Sequence, residues 1–479
     1  MAKPRLDHMV VILPGITGSV LQKDRQDVWA FSGHAVYDAI FHQKDYLDSL
    51  RIHGTDSGDL DDLGDGVRAT GLMRNATLVP GLIKLFDGYD GIGQMIRDRF
   101  DVVGNGCESS ESSNLFEFPY DWRRDNRVTG RRLHGLIEER LAQWRKFTFN
   151  KNAKVILLAH SMGGLVARYY LEVLEGWRDC LALVTFGTPY RGAVNSLNFL
   201  ANGYKQKVID LSECMRSFTS VYQLLPTYPV VSVGGAFRKV AECGDLVGID
   251  RARAAAAAAF HAEIEAKVEE HRKDAAYLTS GYKILPFVGT RQPTLQSAVL
   301  EGTAILAGAA LPEEVHELLD GGDGTVPRYS AVPPELSGEF RETFVPEKHG
   351  SLQACKIVLN DLLGRLEQMQ VPKPVRGPEV ATEGSALTVE LEDMYLQNEP
   401  FRVRAAILNP GCDFGDVVAS IERADRPVAP IEVVLVESEG AWEATVPGLG
   451  EGLYKVEVKT TAPYPVGPPP VHDVFYVEG

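Results

Sequence analysis

A serine becomes a nucleophile only where a turn exposes its hydroxyl and a base stands ready for its proton. Ala159-His160-Ser161-Met162-Gly163 has the residue types for such a turn. The apolar run KVILLA (154–159) precedes it and reads as a buried strand. MGGLVARYYLEVLEG (162–176) follows and reads as a helix, with Gly176 as its stop. A strand, a sharp turn and a helix make a nucleophile elbow, in which strain pushes the serine Oγ out at the strand's end and crowding demands small neighbours. Ala159 stands where glycine is usual and is still small. The pentapeptide alone is a weak signal, since A/G-x-S-x-G arises by chance, and its flanking elements with Gly164 strengthen it.

In an elbow protein the partners follow in the order serine, acid, histidine. Asp323 sits in the glycine turn of DGGDGTVPRYSA (320–331), with Asp320 its nearest rival, although D-G pairs also mark ordinary turns. His349 lies in FVPEKHGSL (344–352), a loop between a short strand and the expected helix LQACKIVLNDLLGRL (352–366). His316 precedes the acid and His472 lies in a different region, so both fit the order badly. The expected chemistry has His349 taking the Ser161 proton while Asp323 fixes the imidazole tautomer. The oxyanion would be held by the N–H of Met162 and by that of Ile16, in the loop PGITGS (14–19) after the first strand. Losing one such donor costs about 2.7–4 kcal/mol of transition-state stabilisation. On its own that loop is an ordinary glycine-rich turn. It lacks G-x-G-x-x-G and the Walker lysine. No metal-ligand spacing is present, and no cofactor is expected.

The elements that must position these residues alternate. Strands are expected at 9–15, 115–118, 154–159, 181–189, 230–235 and 283–290, and amphipathic helices at 131–147 and 162–176. This rhythm implies βαβ units and a mostly parallel sheet. The stretch from about 22 to 75 is polar and stays unassigned. Residues 190–280 break the rhythm, and the alanine-rich helix 251–273 within them carries Phe260, Ile264 and Val268 as an apolar stripe. The segment reads as a helical cap insertion. Prolines 372, 374 and 378 mark an extended linker over 371–380. Beyond it, about seven short alternating strands from 386 to 478 suggest an antiparallel β-sandwich. WEATVPGLGEGLYKVEV (442–458) resembles the last hairpin of immunoglobulin-like modules, and the expected division is a catalytic α/β domain over 1–370, the linker, and a sandwich over 381–479 that this resemblance implies is immunoglobulin-like.

The chain has 479 residues, 44% of them apolar, and a net charge of −16. That charge argues against nucleic-acid binding and gives no support to a polybasic membrane anchor. The six cysteines, Cys107, Cys180, Cys214, Cys243, Cys355 and Cys412, are scattered and are expected to be free thiols. The first apolar run, Val10 to Leu13, is too short for a signal peptide, and no stretch reaches a membrane span. A cytoplasmic protein is the expectation.

VVILPGITGSVL (10–21), FPYDWRRD (118–125), AHSMGG (159–164), FGTPYRGA (186–193), GDGTVP (322–327) and KHGSL (348–352) run in the order of the lecithin:cholesterol acyltransferase-like lipases. The chain resembles that α/β-hydrolase family over about residues 8–366. The resemblance implies Ser161, Asp323 and His349 as the triad and Ile16 and Met162 as oxyanion donors, in agreement with the order of the residues. It also implies acyl-ester chemistry on lipids by a lipase, phospholipase or acyltransferase. A lipid or hydrophobic ester is therefore the expected substrate, with transient membrane-surface contact. Asp121, Trp122 and Arg123 read as a buried structural ion pair or as shapers of the pocket. Two other readings stand beside hydrolysis. One is acyl transfer on the same triad. The other is a non-catalytic scaffold that binds a protein partner through its sandwich.

Overall fold

The computed structural model describes residues 3–479 except 31–42, 55, 57–61, 75–87, 103–112, 207–208, 281, 337–341, 371–385, 409–413, 425–427, 439 and 463–466. The proline-rich linker, Cys107 and Cys412 thus lie outside the described residues.

Six strands form the central sheet: β1 (Met9–Leu13), β2 (Leu115–Glu117), β3 (Val155–His160), β4 (Cys180–Phe186), β5 (Lys283–Gly289) and β6 (Thr343–Val345). They lie in the order β6-β5-β4-β3-β1-β2, and every pair is parallel. The apolar runs are continuous because both faces are covered. Met9, Val11 and Leu13 point into one core with Val155 and Leu157, whereas Val10 and Ile12 point into another with Ile156 and Leu158. On the first face lie α1 (Asn126–Thr148) and α2 (Gly163–Arg168). On the second lie the helix Asp90–Arg99 and a later helix, Lys356–Met369. After α2 the expected long helix continues as one π-helical turn, Tyr169–Val173, where Leu174 N–H reaches Tyr169 O at 3.2 Å. Gly176 opens a 3-10 turn instead of stopping the helix. Over a single turn the apolar pattern does not separate these helix types.

The cap rises between β4 and β5. Its long helix α3 (Arg251–His271) buries Phe260, Ile264 and Val268, the stripe expected from its spacing. The cap also contains a four-stranded sheet: Val231–Val233 and Ala236–Arg238 join Ser297–Glu301 and Ala304–Gly308, two strands that follow β5. The 230–235 segment therefore belongs to this small sheet and not to the central one. Strands of three residues are too short for alternation to assign them to a sheet. The polar stretch near the N-terminus supplies a second small sheet, with Ser19–Lys23 between Gln26–Trp29 and Val67–Leu72.

The C-terminal part is all β. Eight strands form one sheet curled on itself, from Ala386–Glu390 at one edge to Met394–Leu396 at the other. Strand Ile431–Ser438 pairs on both sides and joins the two layers. Seven antiparallel strands are expected from alternation. The eighth, Met394–Leu396, runs parallel to the last strand, Val471–Glu478. The layers enclose their own core around Val403, Ala419, Val456 and Phe475.

Candidate active site

The loops that carry Ile16, Ser161 and His349 leave the carboxyl ends of β1, β3 and β6, where open α/β sheets place their ligand sites. β3 ends at His160, and Ser161 turns with φ of 51°, in the left-handed region that side chains disfavour. Ser161 N–H donates to Phe186 O at 2.9 Å, and Ser161 O accepts from Gly164 N–H at 3.0 Å and Thr188 Oγ1 at 2.9 Å. The loop after β1 presses against this turn. A Cβ on Gly163 would stand 2.4 Å from Pro14 O, and one on Gly15 would stand 2.8 Å from Ser161 Cβ, so only glycine fits at either place.

His349 Nε2 lies 2.8 Å from Ser161 Oγ, and its Nδ1 lies 2.7 Å from Asp323 Oδ2. Asp323 Oδ1 accepts from the N–H groups of Thr325 at 2.9 Å and Val326 at 2.7 Å. An ionised carboxylate only accepts, so Nδ1 carries the hydrogen and Nε2 is left to accept the serine proton. Asp323 is fully enclosed. It stands beyond the end of β5 because Gln292 bonds its turn through Gly322 O at 2.9 Å. Asp320, the rival acid, caps Gly321 N–H at 2.7 Å on the surface. His316 caps a 3-10 turn at Leu318, and His472 sits on a sandwich strand beside Glu457.

The N–H groups of Ile16 and Met162 flank Ser161 and donate to no acceptor among the described residues, whereas that of Gly15 is taken by Tyr89 OH at 2.8 Å. Free donors of this kind can face a developing oxyanion.

Two further residues, Tyr89 and His160, brace the site. Tyr89 OH lies 2.9 Å from His160 Nδ1, and His160 Nε2 lies 3.1 Å from His349 O. The carbonyl needs a donor, so Nε2 holds the hydrogen and Nδ1 accepts from the tyrosine. Burial, and then the neighbouring His349, push the His160 pKa down to about 3, which keeps the ring neutral. A chain of bonds thus runs from Gly15 N–H through Tyr89 and His160 to the backbone of His349. His160 was visible inside the elbow sequence, but no pattern marks Tyr89, 71 positions away.

Arg123 is wholly buried and ion-pairs with Asp121 at 2.6 Å and with Asp65 at 2.8 Å. Trp122 lines a cavity of about 400 Å³ that ends on Ser161 and His349. The other walls are mostly apolar and include Trp29, Phe199, Met215, Phe218 and Val221, several of them from the cap. Such a chamber suits an acyl chain. Among the described residues, no His, Cys, Asp and Glu cluster could hold a metal ion, and no helix is long and apolar enough to cross a membrane.

The sheet order, the elbow and the three side chains define the α/β-hydrolase class. Residues 101–247, which include the elbow, match the family described as lecithin:cholesterol acyltransferase. The lysosomal phospholipase A and acyltransferase of Rattus norvegicus is 32% identical over 119 residues, 22% of this chain and 27% of its own length. The Homo sapiens protein of the same name gives the same figures. Phosphatidylcholine-sterol acyltransferase of Mus musculus is 29% identical over 136 residues, 26% of this chain and 29% of its own. The chain thus matches under a third of the length of these relatives. Two crystal structures of a Bacillus licheniformis lipase are also similar. The mature form has a TM-score of 0.32 at 12% identity, covering 76% of this chain and 92% of that one; the propeptide form has 0.33 at 10%, covering 98% and 94%. At those scores the overlays add nothing to the fold, which rests on strand order.

Proposed function

We propose that this chain is a serine hydrolase that cleaves carboxylic esters of lipids through an acyl-enzyme on Ser161. The carrying observation is the hydrogen-bonded line Ser161–His349–Asp323 at the end of an apolar cavity. His349 Nε2 takes the Ser161 proton as Oγ attacks the ester carbonyl. The carbonyl oxygen becomes an oxyanion between the N–H groups of Ile16 and Met162. His349 then gives its proton to the departing alcohol, and the acyl group stays on Oγ. A water molecule, deprotonated by His349, releases the acid by the reverse steps.

The names of the relatives support the lipid, since they are phospholipase and sterol acyltransferase. They also favour a second reading, in which an alcohol replaces water in the last step. The two readings share the acyl-enzyme and differ only in the acceptor. A scaffold role has less support, because a non-catalytic protein has no use for a complete triad. The division into a catalytic part over 1–370 and a sandwich over 381–479 belongs to the same proposal. So does a cytoplasmic location, supported by the four described cysteines, all free thiols, and checked by cell fractionation.

The test is a fluorophosphonate label followed by lipid analysis. Wild type should be labelled and should release fatty acid from phospholipid or neutral ester, and Ser161→Ala should do neither. Equal labelling of the two proteins removes Ser161 as nucleophile. Free-acid yield that falls when alcohol is added selects transfer over hydrolysis.

A further inference from the structure

The β-sandwich has no part in the reaction described above, yet its contacts fall on the two loops that carry the acid and the base. Lys348, directly before His349, pairs through Nζ with Asp473 Oδ2 on the last sandwich strand. Those side chains are only 14% and 10% exposed. Glu347 is 1% exposed, and its Oε2 lies 3.8 Å from His472 Nδ1 on the same strand. His472 Nε2 reaches Glu457 Oε2 at 3.1 Å. Burial and Lys455 oppose a charge on His472, but the two carboxylates hold its pKa above the ordinary histidine value.

On the acid side the link is neutral. Buried Gln292 donates its Nε2 to Leu387 O in the first sandwich strand at 3.2 Å. Its own N–H holds Gly322 O, next to Asp323. Asp393, between the first two sandwich strands, lines the catalytic cavity itself. The elbow is held differently, by β4 and by the loop after β1, without the sandwich.

We propose that the sandwich is a positioning element of the hydrolase, and that the Lys348–Asp473 pair, backed by Glu347–His472, sets where His349 stands against Ser161. The proposal rests on the hydrolase reading. Its physical basis is that residues 346–355 form neither helix nor strand: isolated backbone bonds such as His349 N–H to Asp323 O at 2.8 Å tie the loop, and side-chain contacts add the order that a ladder would supply elsewhere. A mostly buried ion pair that loses one partner leaves a charge uncompensated, and the loop moves to hydrate it. Displacing a base by about 1 Å can cost about a hundredfold in rate. Lys348, Asp473, Glu347, His472 and Gln292 touch no reacting atom and act through the loops they hold.

The experiment compares Asp473→Asn with Asp473→Glu in the full chain, well below the melting temperature of each. The asparagine variant should lose about tenfold or more in kcat with KM within about twofold, since only the geometry of the base changes. The glutamate variant keeps the charge and should recover most of that loss. Unchanged kcat in Asp473→Asn, or equal losses in both variants, overturns the proposal. Amide hydrogen exchange gives a readout that needs no turnover. Exchange in Asp473→Asn should quicken over 345–351 and stay as in wild type over 160–164, and uniform or absent change again overturns the positioning role. If wild type shows no Ser161-dependent turnover, the hydrolase reading fails by itself, and the exchange pattern still decides whether the sandwich holds the loop.

Discussion

The two halves of the site are built by different means. Ser161 and the loop of Ile16 are held by backbone. A left-handed turn, parallel strands β1 and β3 and two glycines at which any Cβ would collide leave them no freedom. Asp323 and His349 arrive 162 and 188 residues later on loops, held by isolated backbone bonds, Gln292 N–H to Gly322 O and His349 N–H to Asp323 O, and by side chains: the Gln292 amide, the Tyr89–His160 chain and the ion pairs to the sandwich. The nucleophile is placed by the rigidity of the sheet, the base in part by side-chain contacts that single substitutions can remove. Changes in the first half should therefore disturb folding as well as rate, whereas changes in the second should act on rate.

The largest expected effects test the chemistry common to both halves. Ser161→Ala should lower kcat roughly 10⁶-fold and Asp323→Asn about 10⁴-fold in single-turnover assays, the latter by presenting the wrong imidazole tautomer. A loss of less than tenfold in Asp323→Asn would transfer the acid role elsewhere, with Asp320 the first alternative.

Gly163→Ala breaks the backbone half. Its new Cβ meets Pro14 O, and thermal or denaturant unfolding should show a loss of about 1–3 kcal/mol together with slower turnover. Unaltered stability would mean that the loop after β1 yields easily and that the contrast with the second half is false.

Tyr89→Phe probes the link between the halves. It removes the acceptor of Gly15 N–H and the donor to His160 Nδ1, at a cost of about 1–3 kcal/mol to stability. Fluorophosphonate labelling should slow while Ser161→Ala stays unlabelled. A labelling rate equal to wild type would limit the tyrosine to packing.

The last expected effect is on acid stability and leaves the comparison of rates untouched. His160 is held neutral down to about pH 3 when folded, but takes a proton near 6.5 once unfolded. The unfolded state therefore binds more protons between those values, and stability falls as pH drops from about 6.5 towards 3. Buried His261, lowered mainly by its burial to about 4, adds in the same direction. Denaturant midpoints against pH should show the slope, and His160→Gln should flatten it.

Much of this was legible in the residues. KVILLA, the elbow and Gly163 share one short stretch in which strand, turn and helix each leave their own mark, and the serine–acid–histidine order singled out Asp323 and His349 from several candidates. Tyr89 and Gln292 were not legible, because a hydrogen bond between distant loops leaves no periodicity. The cap sheet escaped for the same kind of reason: its strands are short, and two of them come from beyond β5.

What the sequence determined alone is local: a strained serine turn between a buried strand and a helix, an alternating α/β order, and a later run of alternating strands. These depend on residue type and spacing within about ten positions. The tertiary structure alone decided which carbonyl the His160 ring would brace, how closely Gly15 would approach Ser161, and that the last sandwich strand would meet the histidine loop. Those contacts join residues separated by more than a hundred positions, and only the packing of both parts brings them within reach.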